Sequence, residues 1–204
     1  MSLQAAEPAL VLASASPTRA ALLRAAGLEF EAVAAPVDED AARRAAREDG
    51  NTAWEAALIL AGLKARAVAR RRPGALVIGC DQILVCGGQW FDKPSDLAAA
   101  RAQLLALRGA EHVLETAVVC YRDGAEIWRH LARPKLAMSA FSEAFLDAYL
   151  AAEGEAVLGS VGAYRLEALG ANLFERVEGE HASVLGLPLL PLLGFLRQHR
   201  VLLS

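Results

Sequence analysis

Two glycine-centred turns, Gly87-Gly88 and Asp123-Gly124, constrain this chain more than any other feature. Each separates two short apolar runs, 83–86 from 89–91 and 113–121 from 125–130, which is the signature of an antiparallel hairpin. Elsewhere apolar strands alternate with helical patterns of period 3.6, the order that builds parallel βαβ units. A chain with both features must form a mixed β-sheet with flanking helices, an α/β fold, rather than a purely parallel one. With 204 residues, 55% of them hydrophobic, the chain can bury a sizeable core. It reads as a single domain over 1–204, or as two lobes sharing a core, with no repeat or linker dividing it.

The opening stretch LVLASASPTRAALL reads as strand 10–13, a polar hinge, and a helix with Ser16 at its N-cap, Pro17 in its first turn and Gly27 at its stop. A second strand is expected at 30–33, followed by an acidic turn at 37–40. Thr52 and Glu55 form a capping box for a helix that ends before Pro73-Gly74. The run ALVIGC at 75–80 is a buried strand ending at Asp81. Ser95 opens a helix that closes at Gly109, and 142–152 is another, stopped by Gly154. Residues 159–170 read as a loop, 173–177 as a strand, and the last helix starts near Leu187.

Composition removes several function classes. A formal net charge of -3 without a dominant basic face argues against binding polymeric nucleic acid. Cys80, Cys86 and Cys120 are odd in number and lack metal-ligand spacing, so a reducing cytoplasm is the expected compartment. No secretion leader is evident. The C-terminal GLPLLPLLGFL is too short and too proline-broken for a membrane span, so no membrane association is expected.

Several residues carry chemistry. Ser14, Ser16 and Arg19 surround a helix N-terminus, whose free N–H groups and partial positive charge suit either plain capping or a phosphate. Only Lys64, Lys93 and Lys135 among the 21 basic residues are lysines. Lys64 shares the small apolar stripe of Ala57, Ala61 and Val68, which turns its ammonium inward, either as a snorkelling chain or as a point charge for polyphosphate. Lys93 stands in a turn, Asp92-Lys93-Pro94. Asp81, after a buried strand, reads as an Asx turn or as a ligand-facing carboxylate. With Glu39 it could supply oxygen ligands for magnesium and activate water, whereas Glu39 and Asp40 equally suit a solvated loop. His112, His130, His181 and His199 are dispersed, and no phosphate-loop, HExxH or nucleophile-elbow motif is present.

In this order, LASASPTRAALL, VDED, the Lys64 helix, GCDQ, DKP and GAYRLEALGANLFERVEGEHASVLGLPL resemble the Maf family of nucleoside triphosphate pyrophosphatases. The resemblance spans nearly the whole chain. It implies a mixed-sheet fold whose two lobes enclose a nucleotide cleft, often dimeric, and hydrolysis of a nucleoside triphosphate to monophosphate and pyrophosphate with a divalent cation, Mg2+ or Mn2+. On that resemblance Asp81 is the general base and a metal ligand, Glu39 a metal ligand, and Ser14, Arg19, Lys64 and Lys93 bind the triphosphate.

Substrate choice follows the same resemblance. Gln82 and Glu167 are similar to the branch acting on 7-methyl-GTP, and a carboxylate at 167 would accept from guanine N1–H and its exocyclic amine. Thr18 stands where that branch has tryptophan, removing an aromatic platform, and Ala20 replaces a residue that is often basic. The alternatives are a broad-specificity nucleotide pyrophosphatase and a nucleotide-binding regulator of cell division without turnover. Trp54, Trp90 and Trp128 are expected in packing roles, with Trp90 also open to a base contact.

Overall fold

The computed structural model describes residues 3–203. β1 (Leu10–Ala13), α1 (Pro17–Ala25) and β2 (Glu31–Ala32) open the chain, followed by α2 (Glu39–Glu48), α3 (Ala53–Ala69) and the long strand β3 (Leu76–Cys86). Next come β4 (Gln89–Phe91), α4 (Leu97–Leu107), β5 (Glu111–Arg122), β6 (Ala125–Ala132), β7 (Lys135–Met138) and α5 (Glu143–Glu153). Three short 3-10 turns lead to β8 (Phe174–Glu178), α6 (His181–Val184) and α7 (Leu189–Gln198).

The sheet is mixed, as the two hairpins require. β1 runs parallel to β2 and β3, while β3–β4, β5–β6, β5–β7 and β7–β8 are antiparallel. The ladder order is β2-β1-β3-β5-β7-β8, with β4 on β3 and β6 on β5. The chain divides into two compact units, one holding the residues up to Asp81, Thr116–Ala132 and the stretch from His181 on, the other holding Gln82–Glu115 and Arg133–Glu180. β3 and β5 each pass from one unit into the other.

In the first unit the parallel strands β1 and β3 are buried on both faces, so their sequences read as continuous apolar runs, whereas both residues of β2 are exposed. Leu10 and Leu12 of β1 with Leu76, Ile78 and Cys80 of β3 pack against Leu23 of α1 and Leu192, Phe195 and Leu196 of α7. Val11, Ala13 and Val77 alternate onto the other face, against Ala65, Val68 and Ala69 of α3. Gly79 belongs to that second face. A Cβ there would overlap the Ala61 carbonyl oxygen and lie 2.8 Å from the Ala65 amide nitrogen. Only glycine lets α3 approach β3 this closely.

Three local expectations are corrected. The acidic stretch at 37–40 is no loop: Asp38 is an N-cap, its carboxylate accepting from the Ala41 amide at 2.9 Å, and Glu39 and Asp40 form the first turn of α2. Acidic side chains there complement the helix dipole. Asp81 does not end a strand either. β3 continues without a break from Leu76 to Cys86, joining the two strands expected at 75–80 and 83–86. The N-cap of α4 is Asp96 rather than Ser95, and β7 and α6 were not foreseen.

The second unit contains an aromatic cluster around His112, whose ring Nε2 lies 2.8 Å from the Tyr164 hydroxyl. Phe174 packs edge-on to Tyr164. His112 is 1% exposed, and burial pulls its pKa down to about 4. An unfolded histidine takes a proton below about pH 6.5, whereas the folded one does so only near 4. Stability attributable to His112 is therefore complete above pH 6.5 and is lost as the pH falls towards 4. Between pH 7.5 and 5.0 the native protein is expected to lose about 2 kcal/mol more than His112→Phe, as measured by urea unfolding at the two pH values.

Candidate active site

The N-terminus of α1 is built by three polar side chains. Ser16 caps the helix, its hydroxyl accepting from the Arg19 amide at 3.3 Å. The Ser14 hydroxyl accepts from the Ser16 amide at 3.2 Å and from Arg19 Nη1 at 3.4 Å. Arg19 also donates through Nε to the Gly186 carbonyl at 2.8 Å and through Nη1 to the Cys80 carbonyl at 3.2 Å. A Cβ at Gly186, where φ is +96°, would stand 3.1 Å from that Nε. The guanidinium thus ties the end of β1, the middle of β3 and the turn before α7, while its Nη2 makes no hydrogen bond among the described residues. Ala20 faces the core beneath α1, so its departure from the family pattern concerns packing. Thr18 is half-buried in the first turn.

A second cluster gathers on the α3 face of β3. Lys64 is 3% exposed and Asp81 2%. The Lys64 ammonium lies 2.7 Å from Asp81 Oδ1 and 2.7 Å from Glu39 Oε2. The inward direction expected for Lys64 is observed, because Ala61 and Ala65, either side of it in sequence, press against Gly79, two residues before Asp81. Glu39 is half-exposed, so the cluster runs from the interior to solvent.

Arg43 was not anticipated. It stands one helical turn after Glu39 on α2, is 8% exposed, and brings Nη2 to 3.7 Å from Asp81 Oδ2. That distance is an ion pair rather than a hydrogen bond, and Oδ2 has no hydrogen-bond partner among the described residues. Asp81 therefore has one oxygen fixed by lysine and one buried oxygen whose hydrogen-bonding capacity is unused among the described residues. The sequence does contain a signal for Arg43: Glu39 and Arg43 are an i,i+4 pair, which shares one helix face.

The structure brings Ser14 and Arg19 together at α1, and Glu39, Lys64 and Asp81 together beside α3. The Cys80 carbonyl held by Arg19 immediately precedes Asp81, which links the two groups along β3. Lys93 and Glu167 belong to the second unit. Lys93 is exposed in the coil after β4, and Glu167 lies in a turn with Oε1 3.7 Å from Arg165 Nε. Gln82 follows Asp81 on β3 and is half-buried. Trp128 stacks on Phe195, a packing role. No group of three or more His, Cys, Asp or Glu among the described residues could hold a metal by itself.

Residues 9–199 match the family described as Maf-like protein. The chain belongs to the Maf family. Among Maf relatives, a nucleoside triphosphate pyrophosphatase of Granulibacter bethesdensis is 55% identical over 95% of this chain and 98% of its own length. One of the same name from Rhodospirillum rubrum is 52% identical, covering 97% of this chain and 98% of its own. A 7-methyl-GTP pyrophosphatase of Mesorhizobium japonicum is 47% identical, covering 92% and 94%. The Maf match extends across both structural units, and the residues of the α1 and α3 clusters lie inside it.

Proposed function

We propose that this Maf protein is a nucleoside triphosphate pyrophosphatase, releasing a nucleoside monophosphate and pyrophosphate, with a preference for guanine-type nucleotides such as 7-methyl-GTP. The observation that carries the chemistry is the buried Asp81, with one carboxylate oxygen pinned by Lys64 and the other, 3.7 Å from Arg43, making no hydrogen bond among the described residues. In this reading Asp81 Oδ2 takes the proton from a water molecule as the water attacks the α-phosphorus. The β-phosphate oxygen then leaves with pyrophosphate. Ser14, the α1 N-terminus and Arg19 Nη2 stabilise charge on the departing group, and Lys93 is assigned to the same triphosphate. Lys64 acts here by holding Asp81 and Glu39 in register.

The donor set fits a divalent cation. Mg2+ takes one or two carboxylates and completes its shell with water and substrate phosphates, so Glu39 and Asp81, which meet at one ammonium, are suitable in type and number. When bound, the cation would neutralise phosphate charge and polarise the phosphoryl oxygens.

Gln82 and Glu167 are assigned to the base, with Thr18 beside the phosphate-binding helix end in place of an aromatic residue. The names of the relatives divide between general and 7-methyl-GTP activity, in line with a guanine-type preference that does not exclude other nucleotides. The substrate is taken to be a free nucleotide rather than a nucleic-acid polymer, given the net charge of -3. Among the described residues no helix is long and apolar enough to cross a membrane. The three cysteines are free thiols, which supports a cytoplasmic setting, and the family resemblance is the support for a homodimer.

Turnover of GTP, 7-methyl-GTP, ATP, CTP, UTP and dTTP with Mg2+ or Mn2+ tests the reading. Metal-dependent rates are expected for several triphosphates, with 7-methyl-GTP or GTP having the highest kcat/KM. Equal turnover of purines and pyrimidines would remove the guanine preference, and binding without turnover of any triphosphate would favour the regulatory reading instead.

A further inference from the structure

The turn that carries Glu167 is held by one buried carboxylate to which no role is assigned. Glu153, the last residue of α5, has a side chain only 5% exposed. Its Oε1 accepts from the Leu169 amide at 2.9 Å, and its Oε2 accepts from Arg165 Nη1 at 3.0 Å. Between these two anchors the chain turns back, the Ala168 amide donating to the Arg165 carbonyl at 3.1 Å, and Glu167 lies inside that turn. Immediately upstream, Tyr164 is fixed on His112 and the Ala163 carbonyl accepts from the Tyr149 hydroxyl at 3.3 Å. Both ends of the Glu167 turn are therefore tied down.

Arg165 is placed between two carboxylates and divides unequally. It makes a charge-assisted hydrogen bond with Glu153, whereas its Nε is 3.7 Å from Glu167 Oε1, beyond hydrogen-bond distance. Without the Glu153 charge, Arg165 would close on Glu167 and occupy the oxygens that a guanine edge needs. Two N–H donors on the base and one guanidinium cannot share the same lone pairs at full strength.

We propose that Glu153 is a positioning residue for nucleotide selection: by holding Arg165 and the Leu169 amide, it keeps the Glu167 carboxylate presented and open to the donor edge of a guanine-type base. This rests on the assignment of Glu167 to the base. Glu153 itself touches no substrate; it acts by withholding a competitor from Glu167.

The test compares kcat and KM for 7-methyl-GTP, GTP and UTP in the full-length enzyme and four variants. Glu153→Gln still offers an acceptor to Leu169 but loses the charge that holds Arg165. It is expected to lower the preference for 7-methyl-GTP over UTP about tenfold, through KM rather than kcat, which corresponds to about 1.4 kcal/mol of lost discrimination. Adding Arg165→Met removes the competitor and is expected to restore the preference, a rescue that a merely structural role for Glu153 would not show. Arg165→Met alone, informative even if Glu153→Gln folds poorly, is expected to keep or strengthen the preference.

Parallel losses for all three nucleotides in Glu153→Gln, a double variant no better than Glu153→Gln, or a preference that collapses in Arg165→Met would each overturn the proposal. Glu167→Gln separates the two levels. A ranking that it leaves unchanged overturns the base assignment and this proposal together. A ranking moved by Glu167→Gln but not by Glu153→Gln overturns this proposal alone.

Discussion

Asp81→Asn is expected to lower kcat for the best nucleotide by about a thousandfold, within the range that removal of a general base produces. Asparagine is nearly isosteric, and its carbonyl oxygen can still accept from Lys64. What it lacks is the basic oxygen that faces away from the lysine. The buried charge balance also changes, because Lys64 keeps Glu39 as its only carboxylate. Thermal unfolding run beside the kinetics distinguishes the causes: a folded variant that has lost turnover is the expected outcome. Full turnover by a folded Asp81→Asn protein would remove Asp81 from the chemistry.

The second large effect is expected at a residue with no functional group, two positions before Asp81 on β3. Gly79→Ala should cost about 3 kcal/mol of stability or more, at the upper end for overpacking, because the added methyl meets backbone of α3 rather than a side chain that could swing aside. Relief requires α3 to move away from β3. Lys64 sits between the two α3 residues that meet Gly79, so the same movement separates Lys64 from Asp81. A displacement of about 1 Å in such a constellation can reduce the rate about a hundredfold. Both quantities are readable, from urea unfolding and from kcat. Normal stability with normal rate would show that α3 is not held as closely as the structure describes.

These two predictions also show what could be read from the chain before folding. The mixed sheet was legible because Gly87-Gly88 and Asp123-Gly124 are local turn signals. α3 was legible from its capping box, which forms as expected between Thr52 and Glu55. Lys64 could be aimed inward because the alanines around it define a stripe. The role of Gly79 was not legible: nothing local distinguishes a glycine that admits a helix from one that merely interrupts a strand.

α2 was overlooked for a different reason. Its only apolar residues are alanines, but Ala41, Ala42, Ala45 and Ala46 recur at helical spacing opposite the charged residues, a periodic signal that reading 37–40 as a turn passed over. The capping chemistry of Asp38 and the Glu39–Arg43 spacing were further signals. Reading 37–40 as a turn hid the fact that α2 delivers both an acid and a buried arginine to Asp81. Placing Asp81 at a strand end was a related error. The polar pair Asp81-Gln82 interrupts the apolar pattern of β3, although the backbone ladder continues through it. An aspartate inside a buried strand departs from the hydrophobic rule because it has an ionic partner, and that partner comes from 17 residues earlier in the chain.

The central claim concerns which bond the enzyme breaks and where water adds. The most direct measurement is turnover of the preferred triphosphate with magnesium in 18O-labelled water, followed by mass spectrometry of both products. The account predicts one monophosphate for each pyrophosphate, with a single label in the monophosphate and none in the pyrophosphate. Label in pyrophosphate, or release of orthophosphate as the first product, would contradict attack at the α-phosphorus and the role assigned to Asp81.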